Sequence, residues 1–500
     1  MTMTGSGEQV ETRVAPLEMT AAAFREAGHG LVDQIADWLD GLRAGPVTHD
    51  ESPADVRRVL GSDRPLPARG ADPRELLSSA AEALFQHSLF NGHPRFLAYI
   101  TSSPAPIGVL GDLLASAINQ NVGAWRLSPL ATEIEAQTIR WIAELVGYPA
   151  SAGGLLVSGG NMANLVCFLA ARTAKTDASV REAGVGVMGR ARVYASAETH
   201  TWIQKAADLS GLGTDAIRWI PVDARQQMQV AALEDQITAD RRNGDRPFLV
   251  VGTAGTVSTG AVDPLDEVAA ACRRHDLWFH VDGAYGALAA RVDGAPESLG
   301  ALREADSVAV DPHKWLYAPL EAGCVLMRRP EDLPRTFSHH PNYYHFDTEV
   351  TNYFERGPQN SRGFRALKVW LALRHAGFEG YQRMIGDDMR LARHLHALVD
   401  AHPDFEALSQ HLSITTFRYL PSRYRATLGE PATEEALNQL NQALLARVER
   451  SGEAFLSNAV VGGRFALRAC IVNFRTSLTD IEALVRILAR LGQEADAASI

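Results

Sequence analysis

Between about residues 96 and 370 the chain alternates short apolar runs with stretches whose apolar residues recur at helical spacing. GLLVSGG, ARVYASA, AIRWIPV, FLVVGTAGT, LWFHVDGAYG, SVAVDPHK and GCVLMRR read as strands bounded by Gly, Ser, Asn and Pro. That alternation predicts an α/β domain over 96–370, a mostly parallel seven-stranded sheet with helices on both faces. Before it, Leu31, Val32, Ile35, Trp38, Leu39 and Leu42 fall on one helical face ahead of the Gly45-Pro46 break. A Pro- and Arg-rich connection then runs to about residue 75. The segment 1–95 is thus expected to be helical and to pack on another domain or subunit. From 371 to 500 the style changes again. A helix from about Glu434 to Arg450, the strand ALRACIVN and a final helix starting near Ser477 predict a small α+β domain. Ser477 and Asp480 have capping-box spacing.

Composition narrows the class without naming a chemistry. With 46% hydrophobic and 21% charged residues the chain is ordinary for a globular enzyme. A formal net charge of −11 with no basic cluster argues against a nucleic-acid partner. Cys167, Cys272, Cys324 and Cys470 are scattered, with no CxxC pair; they read as reduced core thiols of a cytoplasmic protein, and no metal is expected. The start, MTMTGSGEQVETRV, lacks the basic and apolar regions of a signal peptide. Leu145 to Ala171 carries no charge, yet it holds Pro149, five glycines and two asparagines, so it reads as a strand, loop and helix rather than a membrane span.

Four short motifs sit where predicted strands end, and parallel sheets bind ligands at that edge. Ser158-Gly159-Gly160-Asn161 follows GLLV and opens the helix MANLVCFLAARTAK. Such a turn exposes backbone N–H groups to a phosphate, although many strand-to-helix turns contain paired glycines for conformational reasons alone. His200 follows ARVYASA and fits either a satisfied polar residue or a ring that stacks on an aromatic cofactor. Asp282 ends the run LWFHVD. It suits a helix cap or ion-pair partner, and equally a carboxylate that keeps a ring nitrogen protonated. Small residues follow it in Gly283-Ala284-Tyr285-Gly286. Lys314, in DPHKW, stands between apolar runs. It is either a snorkelling strand-end lysine or a desolvated amine able to form a Schiff base with a carbonyl.

A phosphate cradle, an aromatic stacker, a ring-nitrogen carboxylate and a Schiff-base lysine are the parts a pyridoxal phosphate enzyme needs. The chain resembles the group II pyridoxal-dependent decarboxylases of fold type I, the family of aromatic-L-amino-acid decarboxylase. The resemblance runs from HPRFLAY through SPLATEIE, SGGNMAN, SAETH, TAGTVSTGAVDP, HVDGAYG and DPHKW to SRGFRALKVW and LRACIVN. HVDGAYG and DPHKW at this separation carry it most specifically. It implies that Lys314 holds the cofactor, Asp282 pairs with the ring nitrogen, and His200 and Ala284 flank the ring. It implies that Gly160 and Asn161 bind the phosphate, helped by Asp311 and His313, with Thr256 as a nearby hydroxyl. Tyr99 and Arg362 would face the substrate, Arg362 its carboxylate.

The resemblance further implies an amino-acid substrate, aromatic by overall similarity, released as the amine and CO2, and a homodimer with active sites at the interface. SPLATEIE and its preceding loop would reach the neighbouring subunit. Several positions depart from the family pattern. Asn161-Met162 replaces a hydroxyl residue and glutamate, Val257 replaces a threonine, and Asn121 and Gly123 stand where animal relatives carry bulky apolar residues. A more polar or roomier pocket is expected, which keeps a non-aromatic substrate open. Tyr343, with Tyr344 behind it, matches a loop tyrosine that the family implicates in protonating the substrate Cα. In related aldehyde synthases a phenylalanine stands there, so aldehyde synthase or oxidase chemistry is the rival reading. The composition of 335–358 suits a loop that closes over the site.

Overall fold

The computed structural model describes residues 15–176, 180–339 and 350–498. All seven apolar runs form strands of one sheet: β1 (Gly153–Val157), β2 (Ala191–Ser196), β3 (Ile217–Ile220), β4 (Arg246–Thr253), β5 (Trp278–Asp282), β6 (Ser307–Val310) and β7 (Gly323–Met327). Their order is β1-β7-β6-β5-β4-β2-β3. The pairs from β6 through β5, β4 and β2 to β3 are parallel, and β7 runs antiparallel to both neighbours. Every residue of β5, β6 and β7 is buried. This explains why their sequences are continuous apolar runs rather than alternating ones. Helix Gly160–Ala174 packs across β6 and β7, and helix Leu265–Arg274 packs on β4 and β5.

A second sheet holds four antiparallel strands in the order β10-β11-β9-β8: β8 (Phe405–His411), β9 (Ile414–Tyr419), β10 (Ser457–Val461) and β11 (Arg464–Cys470). Helix Pro431–Ser451 packs on β9 and β11, and helix Leu478–Ala498 packs on β9 and on that helix. Only β11 was expected among these strands. The others carry Ser, Thr, Gln, Arg and Asn in positions that break an apolar run. Helix Ala366–Ala401 crosses the expected boundary at 370 and joins the two sheets. It is broken at Gly377, whose φ of +68° only glycine takes easily.

Helix Ala21–Gly41 forms where its apolar face predicts, and Trp38 stacks on Phe85 with centroids 5.0 Å apart. This opening segment is also pinned to its own chain's far end. Arg43 forms a 2.8 Å ion pair with Asp480, whose carboxylate also accepts from the Ser477 N–H at 2.9 Å. Downstream, the Leu97 N–H bonds to Phe455 O and the Leu97 carbonyl accepts from the Cys470 N–H. Among the described residues no helix is long and apolar enough to cross a membrane.

His93 lies in this junction, fully buried, with Nδ1 accepting from the Arg95 N–H at 3.0 Å and Nε2 without a partner. Burial depresses its pKa from 6.5 to about 4. The folded chain therefore resists a proton that the unfolded chain takes up below about pH 6.5, so this contribution to stability is present above that pH and is lost as pH falls toward 4. Asp388 and Asp263, raised by burial to about 7 and about 6, work in the opposite direction over the same range. The comparison must therefore be a difference. The stability advantage of wild type over His93→Asn, measured by urea unfolding, should shrink by on the order of 2 kcal/mol between pH 7 and pH 5. A difference that stays constant over that interval would show that His93 is not buried neutral.

Candidate active site

The carboxyl ends of β1, β2, β4, β5 and β6 converge on one cavity of about 390 Å³. Ser158, Gly159, Gly160 and Asn161 line it from the end of β1. His200 reaches it from beyond β2, Thr253 from β4, Asp282 and Ala284 from β5, and Asp311, His313 and Lys314 from beyond β6. The size lies within the usual range for small-molecule sites.

Lys314 is one of four lysines in the chain, and of these four it alone lines this cavity. Lys175 pairs with Asp276, Lys368 pairs with Asp112, and Lys205 lies exposed on a surface helix. The Lys314 side chain is 20% exposed, with Nζ 3.2 Å from Asp311 Oδ2. Its turn is anchored from beneath. The Trp315 indole and the Tyr317 hydroxyl both donate to Asp388 Oδ2 at 2.8 Å, and Tyr285 stacks on Trp315 at 4.7 Å. Asp388 is buried, and desolvation raises its pKa to about 7 against these hydrogen bonds. A strand-end lysine that merely snorkels needs no such foundation.

Asp282 closes β5. One oxygen accepts from the Trp202 indole at 2.7 Å and the other from the Ala284 N–H at 3.2 Å. Two residues back on the same face of β5, His280 is wholly buried, with Nε2 2.7 Å from Asn164 Oδ1 and Nδ1 2.9 Å from Ser307 Oγ. The His200 Nδ1 accepts from the Trp202 N–H at 3.2 Å, and desolvation lowers the pKa of this imidazole. Both effects favour a neutral ring that presents Nε2–H. His313 is likewise shifted down by burial, with Nδ1 accepting from the Ala322 N–H at 3.2 Å.

The turn before helix Gly160–Ala174 is built for close approach. Gly159 has φ +145°, and a Cβ on Gly160 would lie 2.6 Å from Asp311 Oδ2 and 3.3 Å from the Ala284 Cβ. Only glycines leave this floor open beneath the N-terminus of a 15-residue helix, where backbone N–H groups and the helix dipole favour an anion. The residues therefore fit a phosphate-bearing aromatic aldehyde. They provide an anion seat, an amine, a carboxylate, and small or flat residues lining the same cavity. Asp311 itself is placed as the counter-ion of Lys314, with His313 Nε2 3.6 Å away, rather than as a phosphate donor.

Not every expected residue lines the cavity. Thr256 is buried with its hydroxyl 3.1 Å from Thr259 Oγ1 and does not line the cavity; Thr253, Gly255 and Val257 do. The turn after β4 points alternate residues away, so Thr253 is the hydroxyl at hand. Tyr99 is exposed and outside the lining, which its neighbour Ile100 joins instead. Asn121 Oδ1 accepts from the Gly123 and Arg362 N–H groups, and a Cβ on Gly123 would meet Asn360 O at 2.4 Å. Both residues thus serve a tight loop, the one expected to reach the neighbouring subunit. Tyr343 and Tyr344 lie outside the described residues. Ile100, Asn164, Thr253 and Gly255 also line the cavity, and sequence reading did not assign them to it.

Arg362 is the clearest displacement. It is buried under Tyr353, its Nη2 is 2.5 Å from Glu135 Oε1, and it donates to the Val122 and Leu156 carbonyls at 2.8 and 2.7 Å. The Leu156 N–H also donates to Glu135 Oε1, at 2.9 Å. The pair therefore staples helix Pro129–Leu145 to the strand that carries the glycine turn. Arg362→Leu should leave a buried carboxylate uncompensated and cost roughly 3–5 kcal/mol of stability in chemical denaturation. A variant with wild-type stability and only a raised KM would return Arg362 to the substrate.

Comparison with known proteins agrees with this geometry. Residues 53–420 match the pyridoxal-dependent decarboxylase conserved domain. The aromatic-L-amino-acid decarboxylase of Bacillus atrophaeus is 35% identical over 484 residues, covering 96% of this chain and 97% of that protein. The structure of mouse CSAD superposes with a TM-score of 0.89 at 27% identity, covering 95% of this chain and 99% of that one. The structure of Oryza sativa TDC with PLP and tryptamine gives 0.88 at 28% identity, covering 96% and 99%. With the matched domain spanning most of its length and a lysine, carboxylate and glycine cradle converging at its sheet edge, the chain belongs to the pyridoxal-dependent decarboxylases, pyridoxal phosphate enzymes of the carbon–carbon lyase class.

Proposed function

We propose that this decarboxylase takes an aromatic L-amino acid and releases the amine and CO2, with Lys314 carrying the cofactor. The observation that carries the site assignment is the single cavity shared by Lys314, Asp282, His200 and the Ser158–Asn161 turn. When bound, pyridoxal phosphate supplies an electron sink for the pair left behind by CO2. Each of this chain's residues has a part in sustaining that sink. The Asp282 carboxylate keeps a proton on the ring nitrogen, His200 and Ala284 enclose the ring, and Gly160, Asn161 and His313 hold the phosphate end. Asp311 keeps the Lys314 amine at the cavity wall until it is needed.

Two observations support an apolar, flat substrate side chain. Ile100, Met162 and Val257 line the cavity, and Val257 removes the hydroxyl a polar side chain would use. Among the described residues no arginine lines it, and its cationic side chain, Lys314, is committed to the cofactor. The relative from Bacillus atrophaeus, named for aromatic L-amino acids, supports the same choice.

We further propose a homodimer. Val109, Leu110, Leu113, Leu114 and Ile118 on helix Pro106–Ile118 are exposed, as are Phe24, Leu84, Leu127 and Leu130. An apolar surface of this extent is unusual on a monomer. Leu127 and Leu130 belong to the loop and helix expected to reach the neighbouring subunit. Four buried free cysteines support a reducing, cytoplasmic setting. A fully active monomer in sedimentation experiments would overturn the dimer.

The substrate test is a panel of L-amino acids scored for CO2, amine, ammonia and peroxide. Tryptophan, tyrosine or phenylalanine should give CO2 and amine in equal amounts; preference for glutamate or aspartate would overturn the aromatic assignment. Tyr343 is assigned the proton delivered to Cα. In the same assay Tyr343→Phe should cut amine formation by roughly 10²–10⁴-fold and let aldehyde, ammonia and peroxide appear. Wild-type amine production by that variant would place the proton donor elsewhere.

A further inference from the structure

Trp202 touches both groups assigned to the cofactor ring, yet it lies behind them, 1% exposed, at the start of helix Trp202–Leu209. Its indole N–H donates to Asp282 Oδ2 at 2.7 Å, and its backbone N–H donates to His200 Nδ1 at 3.2 Å. The indole plane is itself fixed. It meets the His280 imidazole edge-on, with centroids 5.7 Å apart and planes at 88°, and His280 is held by Asn164 and Ser307.

The chemistry of the donor matters. A carboxylate that must keep a ring nitrogen protonated has to stay ionised and stay aimed. A lysine or arginine behind it would neutralise its charge and compete for it. An unpaired apolar neighbour would favour its protonation in so buried a place. An indole N–H is a donor that never accepts and never carries charge. It stabilises the carboxylate while leaving the negative charge directed at the cavity. The backbone bond to His200 meanwhile selects the tautomer with Nε2–H outward. We infer that Trp202 is a positioning residue that holds Asp282 ionised and aimed and fixes the His200 ring, so that one side chain and its own amide set both the partner of the ring nitrogen and the ring that covers one face. This rests on Asp282 being the partner of the ring nitrogen, as proposed above.

Trp202→Phe keeps an aromatic ring and deletes the side-chain donor, together with part of the buried ring volume. Two readouts separate positioning from simple core filling. The first is the affinity of the cofactor-free protein for pyridoxal phosphate, followed by fluorescence titration; it should weaken roughly 10- to 100-fold, the range for losing a hydrogen bond to a charged group. The second is the ¹⁵N shift of ring-labelled cofactor in the loaded enzyme, which should move toward the unprotonated pyridine value. The turnover number should fall with little change in KM. Core filling alone would lower the melting temperature and leave the affinity and the ¹⁵N shift at wild-type values, and that result would overturn the inference.

Asp282→Asn serves as the control. If its ¹⁵N shift moves and that of Trp202→Phe does not, the role of Trp202 fails alone; if neither moves, the assignment of Asp282 fails with it. Should Trp202→Phe not fold, a benzothiophene isostere of tryptophan at 202 deletes the N–H at constant shape, with the same expected and contrary outcomes.

Discussion

An amine held over the edge of a buried sheet has to be kept from retreating to water, and the cost of desolvating it has to be met locally. In this chain the Lys314 ammonium meets that cost through Asp311, 3.2 Å away. The turn that bears the lysine is fixed by a second carboxylate, Asp388, which receives both Trp315 and Tyr317. Asp388 lies on the long helix that joins the large sheet to the small one. The position of the amine therefore depends on how the two sheets are packed, and Tyr285, bonded to Ser413 at 2.6 Å, adds a second tie across the same junction.

Above that foundation the polar groups form a layered order. The cavity presents Asp282, His200, Asp311, His313 and Lys314. Behind them lie Trp202, His280, Asn164 and Ser307, connected by hydrogen bonds of 2.7 to 2.9 Å between side chains. A buried polar network of this kind is stabilising only when its members are satisfied, and here nearly every one is. The exception is Asp311 Oδ1, which is buried without a partner.

The large sheet could be read from sequence because its strands are short, mostly apolar runs, and the central ones are buried on both sides, a local property. The strands of the small sheet could not, since ITTFRY is buried throughout yet contains two threonines and an arginine that find partners only in the folded chain. The same division runs through the site. Lys314, Asp282, His200 and the glycine turn each end a strand and announce themselves locally. Trp202 acquires its role from a carboxylate 80 residues away, and Arg362 from one 227 residues away. Motif resemblance placed Arg362 near the active site but could not tell a residue that faces the substrate from one that braces the strand beneath it. Thr256 failed for a smaller reason: in a turn, a shift of a few residues decides which hydroxyl faces in.

We propose that the cofactor is carried by the one lysine that lines the cavity. Loading the enzyme with pyridoxal phosphate, reducing it with borohydride and mapping the peptides reads that directly, because the chain has only four lysines to choose from, Lys175, Lys205, Lys314 and Lys368. The account predicts stoichiometric pyridoxyl label on Lys314 and none on the other three. Label on Lys175, Lys205 or Lys368, or no fixed label in an active enzyme, would contradict it.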